Sequence, residues 1–213
     1  MKQIDWYFDY VSPFAYLQSR RLQEFHGAAE IRPIPVLFAG LLNAFDGLGP
    51  AELPTKRIWT YRICQFNAEQ WGIPFRMPPA HPFSPLRLLR LTIALNNDAE
   101  TIDAIYRFIW ADGRDPDTEW PALMKMLAIG DAAERISDDS VKLALKANTD
   151  AAIAAGVYGV PTLMIDGEAF WGVDGTDFAK AYLADPSILE SDAMTRIDTL
   201  PNAADRRRRA GVA

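Results

Sequence analysis

The placement of strand-forming residues constrains this chain most: they gather at its two ends, with a long helix-prone stretch between. Residues Gln3–Asp9 include Ile4, Trp6, Tyr7 and Phe8, the β-branched and aromatic types that suit a pleated, half-buried surface. Val11-Ser12-Pro13 follows. Serine is a preferred N-cap and proline fits the first helical position, so the pair announces a helix. That helix reads through FAYLQSRRLQEF, with Phe14, Leu17, Leu22 and Phe25 at near-helical spacing and Gly27 as its stop. Glu30–Val36 is a second short strand, which Pro33 and Pro35 confine to an edge or end early. At the other end, Thr162–Ile165 is an apolar strand after a Gly-Val-Pro turn. Asp166-Gly167 signals a hairpin to Glu168–Trp171, and a last helix runs from about Asp177 to Leu183.

The middle obeys another period. Leu37–Pro54 reads as loop, with Gly40, Gly47 and Gly49, and Thr55–Gly72 as helix. Pro74, Pro78, Pro79, Pro82 and Pro85 then make a rigid lining loop, followed by helical runs Leu86–Leu95, Glu100–Ala111, Glu119–Leu127 and Asp138–Ala155. A β-α-β half and a β-β-α half split by helices is an α/β, thioredoxin-like fold with a large all-helical insertion. The expected division is a discontinuous thioredoxin-like domain over 1–36 and 156–190, an insertion over 37–155 and a C-terminal extension over 191–213. In that extension Arg206–Arg209 reads as a solvated run on a frayed tail.

Several functions are excluded early. A formal net charge of −6 argues against nucleic acid as the main partner. The single cysteine, Cys64, rules out an internal disulfide framework, and with two histidines no Cys/His metal site is expected. Asp5 and Asp9 interrupt what a secretory signal would need, and the apolar run Ala151–Ile165 is broken by Gly156, Gly159 and Pro161. A cytoplasmic protein without membrane contact is the expectation.

Four places could carry chemistry. Ser12 stands where a strand meets a helix. Four such isolated Ser-Pro pairs in five are plain N-caps, by rough reckoning. Yet a helix start favours anions, and a hydroxyl there could donate to a thiolate that a ligand supplies. A hydrogen bond to a charged group is worth ~1.5–3 kcal/mol, or about one to two pKa units, enough to ionise a thiol near neutrality. Gly159-Val160-Pro161-Thr162 is the second place: a cis Pro161 would lie opposite that helix start and leave the Val160 backbone free to pair with an extended ligand. The third is Phe170–Gly175, where Asp174 could receive an ammonium group; aromatic core with a turn is an equally good reading. The fourth, His81, invites a general-base role, although a proline-fenced histidine is more often a wall residue or structural donor. His26 reads as a charge near a helix C-terminus and Cys64 as a buried hydrophobe. Ser12-Pro13-Phe14-Ala15 stands where a Cys-x-x-Cys would be, so intrinsic dithiol exchange is unavailable.

FDYVSPFAYL, PVLFAGLL, GLGPAELPTKR, IPFRMPPAHPFSPLRLLRL and GVYGVPTLMIDGEAFWGVD, in this order, resemble the 2-hydroxychromene-2-carboxylate isomerase family, over about residues 3–185. That family is related to the kappa-class glutathione transferases and, more distantly, to DsbA-type oxidoreductases. The resemblance implies reduced glutathione as cofactor, a homodimer, and a small aromatic carboxylate as substrate. Ser12 would match the serine bonded to the glutathione sulfur and Phe14 the ligand-side residue after it. Val160, before Pro161, would match the residue that pairs with the cysteinyl backbone, and Val173 and Asp174 the γ-glutamyl end. The implied reaction opens a bicyclic hemiketal carboxylate to a benzylidenepyruvate by thiolate addition, bond rotation and elimination. This chain departs from the family pattern at Val173 and Gly175, which remove an amide and a cation, and at Gly47, where relatives place asparagine. Leu42 stands near a lysine that meets the substrate carboxylate; Arg57, Arg62, Arg76 or Arg87 could supply that cation instead. A kappa-like transferase or peroxidase, and a non-enzymatic binding protein, are the alternative readings.

Overall fold

The structure is a computed structural model, and it describes residues 1–201. The Arg206–Arg209 run lies outside the described residues. A four-stranded mixed sheet is ordered β2-β1-β3-β4. Its strands are β1 (Lys2–Phe8), β2 (Ala29–Pro35), β3 (Thr162–Ile165) and β4 (Glu168–Trp171). β1 pairs parallel with β2 and antiparallel with β3, and β3 pairs antiparallel with β4 through the Asp166-Gly167 turn. The two proline-bearing positions, Pro33 and Pro35, lie on the outer strand β2, where a missing donor costs least.

Alternation along β1 decides which layer covers which face. Ile4, Trp6 and Phe8 point into the larger core, and Tyr7 points into a smaller one with Val36, Leu41, Ala152, Val157 and Val160. Helices α1 (Pro13–Ser19) and α9 (Gly175–Ala184) complete the β-α-β and β-β-α halves. Between them lie α2 (Phe38–Ala44), α3 (Pro54–Trp71), α4 (Leu86–Ala94), α5 (Ala99–Tyr106), α6 (Trp120–Met126), α7 (Ala132–Ser137) and α8 (Asp139–Ala154). A last helix, α10 (Asp192–Asp198), follows α9.

Helix starts follow the capping chemistry where it is local: Asp98 accepts the Thr101 N–H and Asp138 the Ser140 N–H. Three differences from the sequence expectation have physical causes. α1 stops at Ser19 and a 3-10 turn covers Leu22–Phe25, because the Ser19 hydroxyl donates to the Tyr16 carbonyl and competes with the helical ladder. α5 passes into a π-turn at Arg107–Ala111 instead of running on as one helix. Residues 38–44 are helical and not loop: the Phe38 N–H is capped by the Asp9 carboxylate and the Leu37 N–H by the Thr149 hydroxyl, partners far away in sequence.

The insertion is welded to the sheet by aromatic groups. Trp6 stacks on Phe8 at 4.4 Å, Tyr106 meets both rings, and Trp110 donates its indole N–H to the Tyr10 carbonyl at 2.9 Å. Trp110 is fully buried and also stacks against Phe75. Trp110→Ala should therefore cost about 3–5 kcal/mol, seen as a lower urea midpoint. A loss under about 1 kcal/mol would mean that the insertion is only loosely packed on the sheet.

Candidate active site

Between β1 and α1 the chain makes one turn. The Ser12 N–H donates to the Asp9 carbonyl at 3.1 Å, and the Ser12 Oγ accepts the Ala15 N–H at 3.2 Å as the cap of α1. The serine is buried, 6% exposed, and its hydroxyl donates toward the Val160 carbonyl at 3.4 Å. The Val160–Pro161 peptide bond is cis. The Pro161 carbonyl in turn accepts the Gly172 N–H at 2.8 Å, which ties the Phe170–Gly175 segment to the same edge of the sheet. The motifs singled out at the two ends of the chain thus meet. Among the described residues the N–H groups of Phe14 and Val160 have no partner, so donors from both sides of the edge are available.

The remaining sequence candidates fall into place unevenly. Phe14 is half-buried against the main core. The Val173 side chain is buried in that core, and its carbonyl is taken by Thr176, so any contact it offers a ligand is through the main chain. Asp174 is exposed at the start of α9 and makes no capping hydrogen bond, leaving its carboxylate available. Cys64 is fully buried, and burial holds its thiol protonated, so it is no nucleophile.

His81 is near the junction but occupied. Its Nε2–H donates to the Val11 carbonyl at 2.7 Å, and its Nδ1 accepts from the Tyr61 hydroxyl at 2.7 Å. Burial pushes its pKa down, the Val11 bond opposes this, and the Arg57 charge lowers it further. A neutral imidazole with both nitrogens engaged acts as a clamp, not as a base. Arg57 is the one cation of the four candidates whose charge acts on this cluster, lowering the pKa of both His81 and Tyr61. Arg87 is committed to Asp117 and to the Trp120 ring, and Arg76 lies over Gly113.

Two residues escaped the sequence reading. Gln18 is fully buried: it accepts the Trp6 indole N–H at 3.0 Å and donates to the Gly172 carbonyl at 2.9 Å and to Thr176 Oγ1 at 3.1 Å. A polar residue on the helical row Phe14-Gln18-Leu22 was its only signal. Asp9 is the other. Its carboxylate accepts the Val11 N–H at 3.0 Å and the Phe38 N–H at 2.8 Å, and it is wholly shut off from water. A cleft of about 670 Å³, lined by Arg20, Arg21, Trp71 and Asp103, lies at the far end of α1, where the charges pair with one another. It has no part in the Ser12 edge.

Burial raises the Asp9 pKa to about 7, against the lowering effect of the Phe38 and Val11 N–H groups. An acid whose folded pKa is raised holds its proton where the unfolded chain has lost it. The stability this gives at low pH is lost as pH rises from about 4 to about 7. The Tm of wild type, taken relative to that of Asp9→Asn, should rise as pH falls from about 8 to about 5. A gap constant across that range would show that Asp9 does not titrate in it.

Comparison with known proteins agrees with the geometry. Residues 3–184 match the model of the DSBA-like thioredoxin domain. A 2-hydroxychromene-2-carboxylate isomerase of Pseudomonas sp. (strain C18) is 30% identical over 181 residues, covering 80% of this chain and 85% of that protein. Glutathione S-transferase kappa 2 of Caenorhabditis elegans is 28% identical over 210 residues, covering 87% and 93%. The solved structure of a 2-hydroxychromene-2-carboxylate isomerase superposes with a TM-score of 0.75 at 24% identity, over 90% of this chain and 98% of that one. The chain belongs to the DSBA-like thioredoxin domain family and, within it, to the 2-hydroxychromene-2-carboxylate isomerase family.

Proposed function

We propose that this enzyme is a glutathione-dependent isomerase of a conjugated aromatic or bicyclic carboxylate, with Ser12 as the group that stabilises the glutathione thiolate. The observation that carries the reading is the meeting of the Ser12 hydroxyl with the Val160 backbone beside a cis proline, in a fold whose own cysteine is sealed away.

The donor set fits a thiol tripeptide. Extended peptide needs backbone partners, and the Val160 N–H and C=O lie at the sheet edge. An α-ammonium needs an uncommitted carboxylate, which Asp174 offers. A thiolate needs a donor, and the Ser12 hydroxyl now makes only a long bond to a carbonyl, which a charged acceptor displaces. Because α1 has only seven residues, little of the stabilisation comes from its dipole; the hydroxyl and the free Phe14 N–H carry it. When bound, glutathione would supply a nucleophilic sulfur that adds to a conjugated carbon and leaves again. Arg57 meets the substrate carboxylate, and the His81–Tyr61 clamp holds the wall of the site in place. The proposed assembly is a homodimer.

Thiolate absorbance followed against pH tests the cofactor. Wild type should lower the thiol pKa of bound glutathione by about one to two units, and Ser12→Ala should remove most of that shift, leaving what the Phe14 N–H supplies. The same variant should lose roughly ten- to a hundredfold in kcat/KM on a genuine substrate. Unchanged binding and turnover would remove Ser12 from the mechanism. Arg57→Ala should raise KM several-fold while sparing kcat, because it takes away binding shared by substrate and transition state. The kappa-class relative favours a second reading, a transferase. Product analysis separates the two: an isomerase returns free glutathione, whereas a transferase leaves it in the product.

A further inference from the structure

A buried amide needs partners for its donors and its acceptor, and Gln18 finds them on β1, at the Gly172 turn and on α9. The Trp6 indole N–H can only donate, so it claims Oε1 and turns Nε2 the other way. Thr176 Oγ1 gives its own proton to the Val173 carbonyl at 2.7 Å, so it accepts from Nε2, and the Gly172 carbonyl takes the second Nε2 proton. These partners leave the amide one orientation. Both carbonyls on the approach to α9 are thereby held, that of Gly172 directly and that of Val173 through Thr176.

Gly172 is gripped from its other side as well, since its N–H donates to the Pro161 carbonyl at 2.8 Å. Its φ of +84° lies in the left-handed region, and a Cβ there would meet Asp174 Oδ1 at 2.5 Å. The Asp174 carboxylate thus folds back over the glycine, and where Gly172 sits decides where that carboxylate sits. Asp174 is exposed and makes no capping hydrogen bond, so its place is set through the backbone that Gln18 holds.

We infer that Gln18 is a positioning residue that fixes the Asp174 carboxylate relative to the Val160–Pro161 edge, and so selects thiols that carry an ammonium group at the far end of a γ-glutamyl arm. The inference rests on the glutathione reading and extends it to the other end of the ligand. Ser12 caps α1, and Gln18 lies six residues further on, about 9 Å along a helix that rises 1.5 Å per residue. One short helix carries both the group proposed for the sulfur and the group that places the acceptor for the ammonium. A carboxylate placed beforehand loses little freedom when its partner arrives, which is where the selectivity comes from.

Calorimetric titration of the full chain with two reduced thiols tests this. One is glutathione. The other is N-acetyl-cysteinylglycine, which keeps the thiol and the cysteinyl amide but lacks the glutamyl ammonium and carboxylate. Wild type should prefer glutathione. Gln18→Met keeps the reach of the side chain and removes both donors. It should weaken glutathione binding roughly tenfold and leave that of the acetylated thiol within about twofold. Asp174→Ala should do the same, and adding Gln18→Met to it should cost glutathione nothing more. Thr176→Val removes one partner of the Gln18 amide. It should shift the preference in the same direction, and it carries the test if Gln18→Met does not fold. Equal weakening of both thiols makes Gln18 a general packing residue and overturns the assignment, as does an unchanged preference. Losses that add in full in the double variant overturn it too, because Gln18 then acts elsewhere than on Asp174. Wild type that binds the two thiols equally overturns the assignment and leaves the Ser12 reading standing. Wild type that binds neither overturns the glutathione reading and this assignment with it.

Discussion

Everything at the reactive edge hangs on one buried carboxylate. Asp9 ends the strand that organises the sheet, and its two oxygens reach in two directions, to the Val11 N–H at the turn and to the Phe38 N–H at the start of α2. Its main-chain carbonyl takes the Ser12 N–H, and the Tyr106 hydroxyl donates to it as well. A carboxylate without water is costly, and two N–H donors offset only part of that cost. The return is positional. The turn that aims Ser12, the helix that flanks it and the insertion that roofs it share a single fastener.

The insertion completes the sheet and is not an ornament on it. Strand ends expose polar backbone, and a fold that uses its strand ends for chemistry must satisfy some of those groups while leaving others free. Trp110 satisfies the Tyr10 carbonyl, His81 satisfies that of Val11, and Gln18 satisfies that of Gly172. The amides of Phe14 and Val160 stay open. On the proposed reading, that division between closed and open groups suits a ligand that is extended and polar.

How much of this was legible beforehand depended on the range of the signal. Ser12-Pro13 and Asp166-Gly167 act within a few residues, so the helix start and the hairpin could be read from sequence with their ends nearly in place. The pairing of Ser12 with Val160 was legible only through the resemblance and the fold grammar. α2 escaped because its caps, Asp9 and Thr149, come from elsewhere in the chain, and its own glycine and asparagine argue for loop. Gln18 escaped for a similar reason: whether a polar residue on an apolar row is an error or a linchpin depends on three partners, one of them 158 residues away. His81 shows the converse. The sequence allowed a base but favoured a wall residue or structural donor, and its two hydrogen bonds leave neither nitrogen free.

The burial of Cys64 has a further consequence. Enzymes that keep a reactive sulfur on one of their own cysteine side chains can be silenced when an oxidant reaches it, and must then be repaired or replaced. Here the only thiol of the chain is sealed on the buried face of α3, with no second cysteine to join it. On the proposed reading, the sulfur that works at the Ser12 edge arrives from solution and departs again. Oxidative wear there falls on a disposable visitor, and the protein outlasts it.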